Sequence, residues 1–320
     1  MARRSLVRPL FEGPIDVVGD VHGEIDALRS LLHGLGYLDG AHPEGRRLVF
    51  VGDLTDRGPD SPAVVRLVKD LVQSGQAQCV LGNHDLNLRL CHLASKEPDD
   101  RHPFGERRKH DNHWFFGEES SLDKSGIPTP AVLADDETRR WILEFLASLP
   151  LVLEREDVRV VHACWHDDMV EASREWSDVI ALYTSAHQAI EQALLAPEPG
   201  QPSPDAIDQG LSRQNRNPVK VITSGLEYRT EVPFEAGGKL RHERRVEWWR
   251  DYDAKPTCVF GHYADLGWET ERSPRAVCVD FGVAGRYRER KLTSAEDYSG
   301  RLGALRLPER QVFTDTISRR

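Results

Sequence analysis

The chain has 320 residues and a formal net charge of −10, with 52 acidic against 42 basic side chains. That balance excludes a protein that grips a nucleic-acid polymer through its backbone charge, because such binding needs a basic face to displace counterions. Five cysteines with no C-x-x-C pair suit a reducing compartment. No 18-residue apolar run is available to span a membrane, and no apolar segment follows the basic Met1–Ser5 as a secretory signal requires, so the expected location is the cytoplasm, with no membrane partner.

Ile15–Val18 is a short β-branched run that reads as a buried strand, and Gly19-Asp20-Val21-His22-Gly23 follows it. Ile25, Leu28, Leu31, Leu32 and Leu35 then recur at helical spacing, and Gly34 and Gly36 close the segment. Leu48–Val51 predicts a second strand, ending in Gly52-Asp53-Leu54-Thr55-Asp56-Arg57-Gly58. Asp60-Ser61-Pro62 predicts a capped helix with an apolar face from Val64 to Val72, stopped near Gly75. Cys79–Leu81 predicts a third strand, followed by Gly82-Asn83-His84-Asp85 and a short helix to Ala94. This β-α-β-α-β-α order predicts a mainly parallel sheet covered by helices.

Ser95–Pro130 breaks the pattern. It is charged, His-bearing and punctuated by prolines, so it reads as a long surface insertion of the kind that serves as a lid. His92, His102, His110 and His113 fit no tight metal spacing and read as solvated, as does Arg107-Arg108-Lys109. A helix resumes after Asp135-Asp136 and ends at Pro150. Strands are predicted near Leu151–Leu153 and Val158–Val161, a helical stretch from Ser173 to Leu195, and a polar loop over Pro197–Pro204. The last part predicts strands near Val219–Ile222, Thr257–Phe260 and Ala276–Asp280.

The polar motifs sit just past strand carboxyl ends, where open α/β sheets place their ligands. In Gly-Asp-x-His-Gly, Asp20 and His22 lie two apart, so at an extended strand end both can reach one ion. Asp53 offers a second carboxylate that could bridge two ions; Asn83 supplies a neutral oxygen, and His162 and His262 supply imidazoles. Oxygen and imidazole nitrogen without thiolate suit two divalent ions, Mn²⁺ first and Fe, Zn²⁺ or Ni²⁺ next, better than Ca²⁺. Two ions about 3.5–4 Å apart lower the pKa of a shared water and clamp phosphate oxygens. If these residues converge, residues 11–290 form one catalytic domain, with insertions near 95–130 and 169–218 and a C-terminal extension over 291–320.

Gly-Asp-x-His-Gly, Gly-Asp-x-x-Asp-Arg-Gly and Gly-Asn-His-Asp resemble the signature of the phosphoprotein-phosphatase branch of the calcineurin-like metallophosphoesterases. Val80–Leu86 and Phe260–Leu266 are similar to the bacterial symmetrical diadenosine-tetraphosphatases within it. The resemblance covers the first 95 residues well and the last third loosely. It implies an α/β fold of two packed mixed β-sheets flanked by helices. It also implies that Asp20, His22 and Asp53 hold one ion, and that Asp53, Asn83, His162 and His262 hold the other. Arg57 and Asn83 would bind the substrate phosphate, with Arg229 the candidate second arginine. His84, oriented by Asp56, would act as general acid toward the leaving group while a metal-bridging hydroxide attacks phosphorus.

In the diadenosine-tetraphosphatases the place of Asp56 is commonly held by a small residue, whereas protein phosphatases keep the aspartate. A nucleotide leaves readily, while a serine or threonine alkoxide needs a proton. The leading expectation is therefore a metal-dependent phosphatase acting on phosphomonoesters, phosphorylated protein or a small phosphate ester. The alternative is a hydrolase of diadenosine tetraphosphate or a related dinucleoside polyphosphate. A non-catalytic phosphate-binding scaffold ranks last, because every expected catalytic position holds a competent residue. Asp85 is expected to cap the following helix, and Trp248-Trp249 to divide between core and surface.

Overall fold

The computed structural model describes residues 5–96, 112–117, 131–195, 204–236, 239–264, 266, 275–290, 292–294 and 297–315. Five strands form the first sheet, in the order β1 (Val7–Pro9), β5 (Val152–Glu154), β6 (Val158–Val161), β9 (Thr257–Phe260) and β10 (Ala276–Cys278). The second sheet runs β11 (Asp280–Phe281), β12 (Arg301–Leu307), β2 (Ile15–Val18), β3 (Arg47–Phe50) and β4 (Ala77–Cys79), with β13 (Gln311–Thr314) paired to β12. Both are mixed: β2, β3 and β4 run parallel while β12 is antiparallel to β2, and β5 is antiparallel to β6 while β6, β9 and β10 run parallel.

Alternation along the strands builds the sandwich. Ile15, Val17, Val49, Val160, Val259, Val277 and Leu305 come from both sheets and form one buried cluster between them. Their neighbours Val18, Leu48, Phe50, Val161, Cys258 and Phe260 belong to the second cluster, which packs under the helices. Coverage on both faces is why these strands read as continuous apolar runs. Each fully buried Val, Leu, Ile or Phe contributes about 1.5–3 kcal/mol. Asp16 breaks the run in β2 but is not stranded. It accepts from Tyr37 Oη at 3.0 Å and from Arg306 Nε at 2.8 Å.

Helices α1 (Ile25–Leu35), α2 (Ser61–Gln73), α3 (Asn83–Lys96) and α5 (Asp136–Ala147) follow the predicted segments. Gly36 closes α1 at φ +92°, and Asp60 caps α2 by accepting from Ala63 N–H. Within the segment read as a surface insertion, α4 (His113–Phe116) buries His113, Trp114 and Phe115. His102, His110, Arg107–Lys109 and residues 196–203 lie outside the described residues.

Other expectations are corrected. The stretch from Ser173 to Leu195 is not one helix but the end of α6 (Asp167–Arg174) and all of α7 (Val179–Leu195), broken where Asp178 accepts from the Ile180 and Ala181 amides. After α8 (Ala206–Asn215), the β-branched run expected as a strand over Val219–Ile222 is helix α9 (Pro218–Ser224). Asn217 caps it through the Val219 and Lys220 amides, with Pro218 in the first turn, and these termini outweigh the local strand preference. Two unforeseen strands, β7 (Glu227–Ala236) and β8 (Lys239–Arg245), pair antiparallel as a hairpin. The C-terminal residues expected to extend beyond the domain instead supply β12, which lies between β11 and β2 inside the second sheet. The short α10 (Arg286–Glu289) precedes it.

Candidate active site

Every motif emerges where expected: Asp20 and His22 after β2, Asp53 after β3, Asn83 and His84 where β4 passes into α3, His162 after β6 and His262 after β9. The backbone is bent sharply to bring them together. Among the described residues, left-handed φ outside glycine occurs at His22, Asp53, Asp56, Arg57 and His262, and otherwise only at Asp39, Arg310. Such conformations cost energy and cluster where structure serves function. Two glycines allow close approach. A Cβ on Gly261 would lie 2.0 Å from Asp20 Oδ1, and one on Gly82 would lie 2.2 Å from Asp53 Oδ1.

Asp53 is the hub. Its Oδ2 lies 3.5 Å from His22 Nε2 and its Oδ1 3.4 Å from His162 Nε2. Asp20 Oδ2 is 3.9 Å from His22 Nε2, and its carboxylate accepts from His262 N–H at 3.1 and 3.2 Å. His162 Nε2 stands 3.0 Å from Asn83 Oδ1, and the His162 and His262 rings are 5.3 Å apart. Ligand atoms of His22, Asp53 and His84 lie within 4.8 Å of one another, as do those of Asp53, His162 and His262.

Hydrogen bonds on the far side of each ring set its tautomer. His162 Nδ1 lies 2.8 Å from Val51 O, and His22 Nδ1 lies 3.1 Å from Thr55 O. A carbonyl only accepts, so both Nδ1 atoms carry a proton, and each Nε2, once deprotonated, offers its lone pair beside the carboxylates. Nitrogen, carboxylate and the Asn83 carbonyl thus converge, and they repel one another unless protons or a cation lie among them. His262 Nε2 is buried and has no hydrogen-bond partner. The donor set fits hard-to-borderline divalent ions.

The electrostatics ask for the same charge. Burial holds His22 well below the usual histidine range, with the Arg57 and His84 charges adding to it. His262 is lowered likewise, by burial and then Arg245. Burial opposes a charge on His162, yet Asp53 and Asp20 outweigh it and push the group up to about 10. Asp20 is raised well above the carboxylate range by burial and by Asp280. Buried Asp53 is held well below that range, because His162 and His84 overcome its desolvation.

Beside this cluster, His84 Nδ1 and Asp56 Oδ2 are 2.8 Å apart, and His84 Nε2 is 3.3 Å from Arg57 Nη2. Asp85 does not act as a simple helix cap. It accepts from Leu54 N–H and Thr55 Oγ1, both at 3.1 Å, and from Gly82 N–H, lacing the second motif to the third. Burial, then Asp53, pushes Asp85 up to about 7.

Arg229 is not brought to the cluster. Its guanidinium bonds Asp205 and Asp208 on the outside of the hairpin, at 2.8 and 3.0 Å. Two residues that interact with the site were missed. Arg245 of β8 lies over the Tyr263 ring, with Nη1 3.4 Å from His262 O. Trp114 of α4 donates its Nε1–H to Asp56 Oδ1 at 2.8 Å. Neither sits in a motif, so no signal marks them in the sequence. Asp280, also missed, follows the apolar run Val277-Cys278-Val279, and a carboxylate at that strand end is the signal that could have found it. It is buried close enough to Asp20 to raise it. Trp248 is buried and donates to Ala163 O at 3.0 Å, while Trp249 is half-buried against Phe260 and Tyr263, the division expected.

The calcineurin-like phosphoesterase family model matches residues 13–225. Similar curated proteins include the asymmetrical bis(5'-nucleosyl)-tetraphosphatase PrpE of Halalkalibacterium halodurans, 53% identical over 73 residues, 22% of this chain and 30% of that one. PrpE of Bacillus subtilis (strain 168) is 47% identical over 73 residues, again 22% and 30% of the two chains. The match thus spans less than a third of these relatives' length. A solved structure named as a diadenosine tetraphosphatase superposes with a TM-score of 0.51 over 97% of both chains at 24% identity, which shows the shared fold. With the family model covering 213 of 320 residues (13 through 225), the sandwich and its buried carboxylate–histidine cluster have a plain reading: the chain belongs to the calcineurin-like phosphoesterases, a family that implies divalent metal ions.

Proposed function

We propose that the protein is a metal-dependent phosphoric ester hydrolase whose preferred substrates are phosphomonoesters with poor leaving groups. Asp20, His22 and Asp53 would hold one divalent ion, and Asp53, Asn83, His162 and His262 a second, with Mn²⁺ the first candidate and Fe, Zn²⁺ or Ni²⁺ the others that a mixed oxygen and imidazole donor set accepts. When bound, such ions lower the pKa of water and neutralise charge on phosphate oxygens. Arg57 presents the fork of donors that grips a phosphate. Arg245, close to His262, takes the place expected of Arg229 as the second arginine.

The observation that supports this reading is the 2.8 Å contact between His84 Nδ1 and Asp56 Oδ2. Asp56 fixes the ring, and Nε2 faces the same space as the Arg57 guanidinium. In this arrangement Nε2 accepts from Arg57 Nη2 at 3.3 Å, and once a substrate phosphate takes up the guanidinium, a proton on Nε2 can pass to the oxygen of a departing alcohol. General acid help matters most when the leaving group is a poor one.

A second reading is hydrolysis of a dinucleoside tetraphosphate, favoured by the names of the PrpE relatives. Parallel assays with Mn²⁺ on p-nitrophenyl phosphate, a phosphoserine peptide and diadenosine tetraphosphate separate the two. Turnover of the phosphopeptide at a rate comparable with the aryl ester supports the first. Efficient cleavage of the dinucleotide with almost none of the phosphopeptide overturns it in favour of the second.

A further inference from the structure

A cavity of about 430 Å³ opens beside the catalytic cluster, and Arg57 and Arg288 both line it. The remainder of its wall comes from Ala264, the Phe281–Gly285 turn, Tyr287 and the Ser299–Gly300 backbone. Among the described residues, its only charged members are the two arginines, and no carboxylate lines it. That is a notable composition in a chain with 52 acidic and 42 basic residues.

The three arginines of Arg286-Tyr287-Arg288-Glu289-Arg290 are used differently. Arg286 bonds Asp315 at 2.8 and 3.1 Å and Gly300 O at 2.8 Å. Arg290 is paired with Glu24. Arg288, exposed between them, makes no hydrogen bond or ion pair among the described residues. The two tied arginines anchor α10 to Gly300 and Asp315, just outside β12 and β13, and to Glu24 at the start of α1, and this fixes the position of the third at the cavity wall. A guanidinium without a carboxylate, sharing a cavity with the phosphate-gripping Arg57, is suited to a second anion.

We propose that Arg288 forms a second anion subsite, which binds a further phosphate group on the substrate while Arg57 holds the phosphate to be removed. This deepens the proposed hydrolase function and rests on it for the role of Arg57. The second phosphate has two chemical sources, an anhydride neighbour of the first or a separate ester on the same molecule.

The test compares kcat/KM on matched pairs, ADP against AMP for the anhydride and glucose 1,6-bisphosphate against glucose 6-phosphate for the separate ester. Wild type, Arg288→Gln and Arg288→Lys are assayed with Mn²⁺. A charge-assisted bond is worth about 1.5–3 kcal/mol, so the two-phosphate over one-phosphate ratio should fall about tenfold or more in Arg288→Gln for at least one pair. The pair affected identifies the source, and Arg288→Lys should lose less. Ratios unchanged for both pairs would overturn the subsite. Calorimetric binding of tripolyphosphate against inorganic phosphate supplies a readout that needs no turnover. Preference for tripolyphosphate that is lost in Arg288→Gln supports the subsite, and preference retained overturns it. Wild-type protein inert on every ester would count against the hydrolase reading alone, and binding would still decide the role of Arg288.

Discussion

Asp53 places its two oxygens against different histidines, Oδ2 toward His22 and Oδ1 toward His162, and Oδ1 also accepts from the His84 amide at 2.8 Å. A carboxylate reaching both halves of the cluster is the natural bridge between two ions, so Asp53→Asn should cost more than any other ligand substitution. The expected loss in kcat is about 100-fold or greater, given the several kcal/mol that metal clamping supplies. Near-normal turnover by purified Asp53→Asn would show that the bridge lies elsewhere. The Asp56–His84 pair makes a different demand. General acid catalysis is worth roughly 10²–10⁴-fold, and an activated aryl ester needs little of it. His84→Asn and Asp56→Asn should therefore impair a phosphoserine peptide far more than p-nitrophenyl phosphate. Equal losses on both substrates would assign the pair to holding phosphate or metal.

At the scale of elements, α4 shows how an irregular segment can serve the chemistry. Trp114 is buried and its indole donates to the Asp56 oxygen opposite the one that faces His84. Trp114→Phe keeps most of the ring volume and removes that donor. Asp56 then turns more freely, so the ratio of phosphoserine to aryl-phosphate turnover should fall as in Asp56→Asn, but by only about tenfold, the worth of one hydrogen bond to a charged group. An unchanged ratio would leave Trp114 a packing residue. The sequence could place Asp20, Asp53, Asn83, His162 and His262 because each follows a doubly buried strand, whose apolar run is readable without tertiary knowledge. It could not place Trp114, whose partner is 58 residues away and whose surroundings carry no period. The β7–β8 hairpin escaped for a related reason. Glu227–Ala236 and Lys239–Arg245 pair with each other outside both sheets and are rich in charge, so no apolar alternation marks them. In α9 the β-branched run pointed to a strand, and only the Asn217-Pro218 start contradicted it.

Across the whole molecule, strands far apart in sequence converge on one buried concentration of charge. Asp20, Asp53, Asp85 and Asp280 are all buried, and burial raises Asp20 well above its ordinary range and Asp280 up to about 6. The fold therefore stores a cost that a divalent cation relieves. An ion binding only the folded state stabilises it by RT ln(1 + [L]/Kd), about 2.7 kcal/mol at a hundredfold excess over Kd. Chelator-treated protein should lose its phosphatase activity and unfold roughly 5 °C lower or more. Mn²⁺ should restore both, with Mg²⁺ a weaker substitute because imidazole favours the softer ion. Full activity in chelator, with no transition metal found by elemental analysis, would rule out this chemistry. The pH dependence has a definite sign. In the metal-free fold Asp20 holds its proton above the ordinary carboxylate range and His162 holds one up to about 10. Groups raised on folding stabilise the metal-free protein at low pH, and that contribution is lost as pH rises through their folded values. Metal binding must displace the same protons, so it strengthens with rising pH. The gap in unfolding temperature between Mn²⁺-loaded and metal-free protein should accordingly widen from about pH 6 to about pH 8, a gap that scanning calorimetry measures directly. A gap that is constant or narrows would mean that the ion enters a site whose ligands are already deprotonated, and that Asp20 and His162 are not among the groups it displaces protons from.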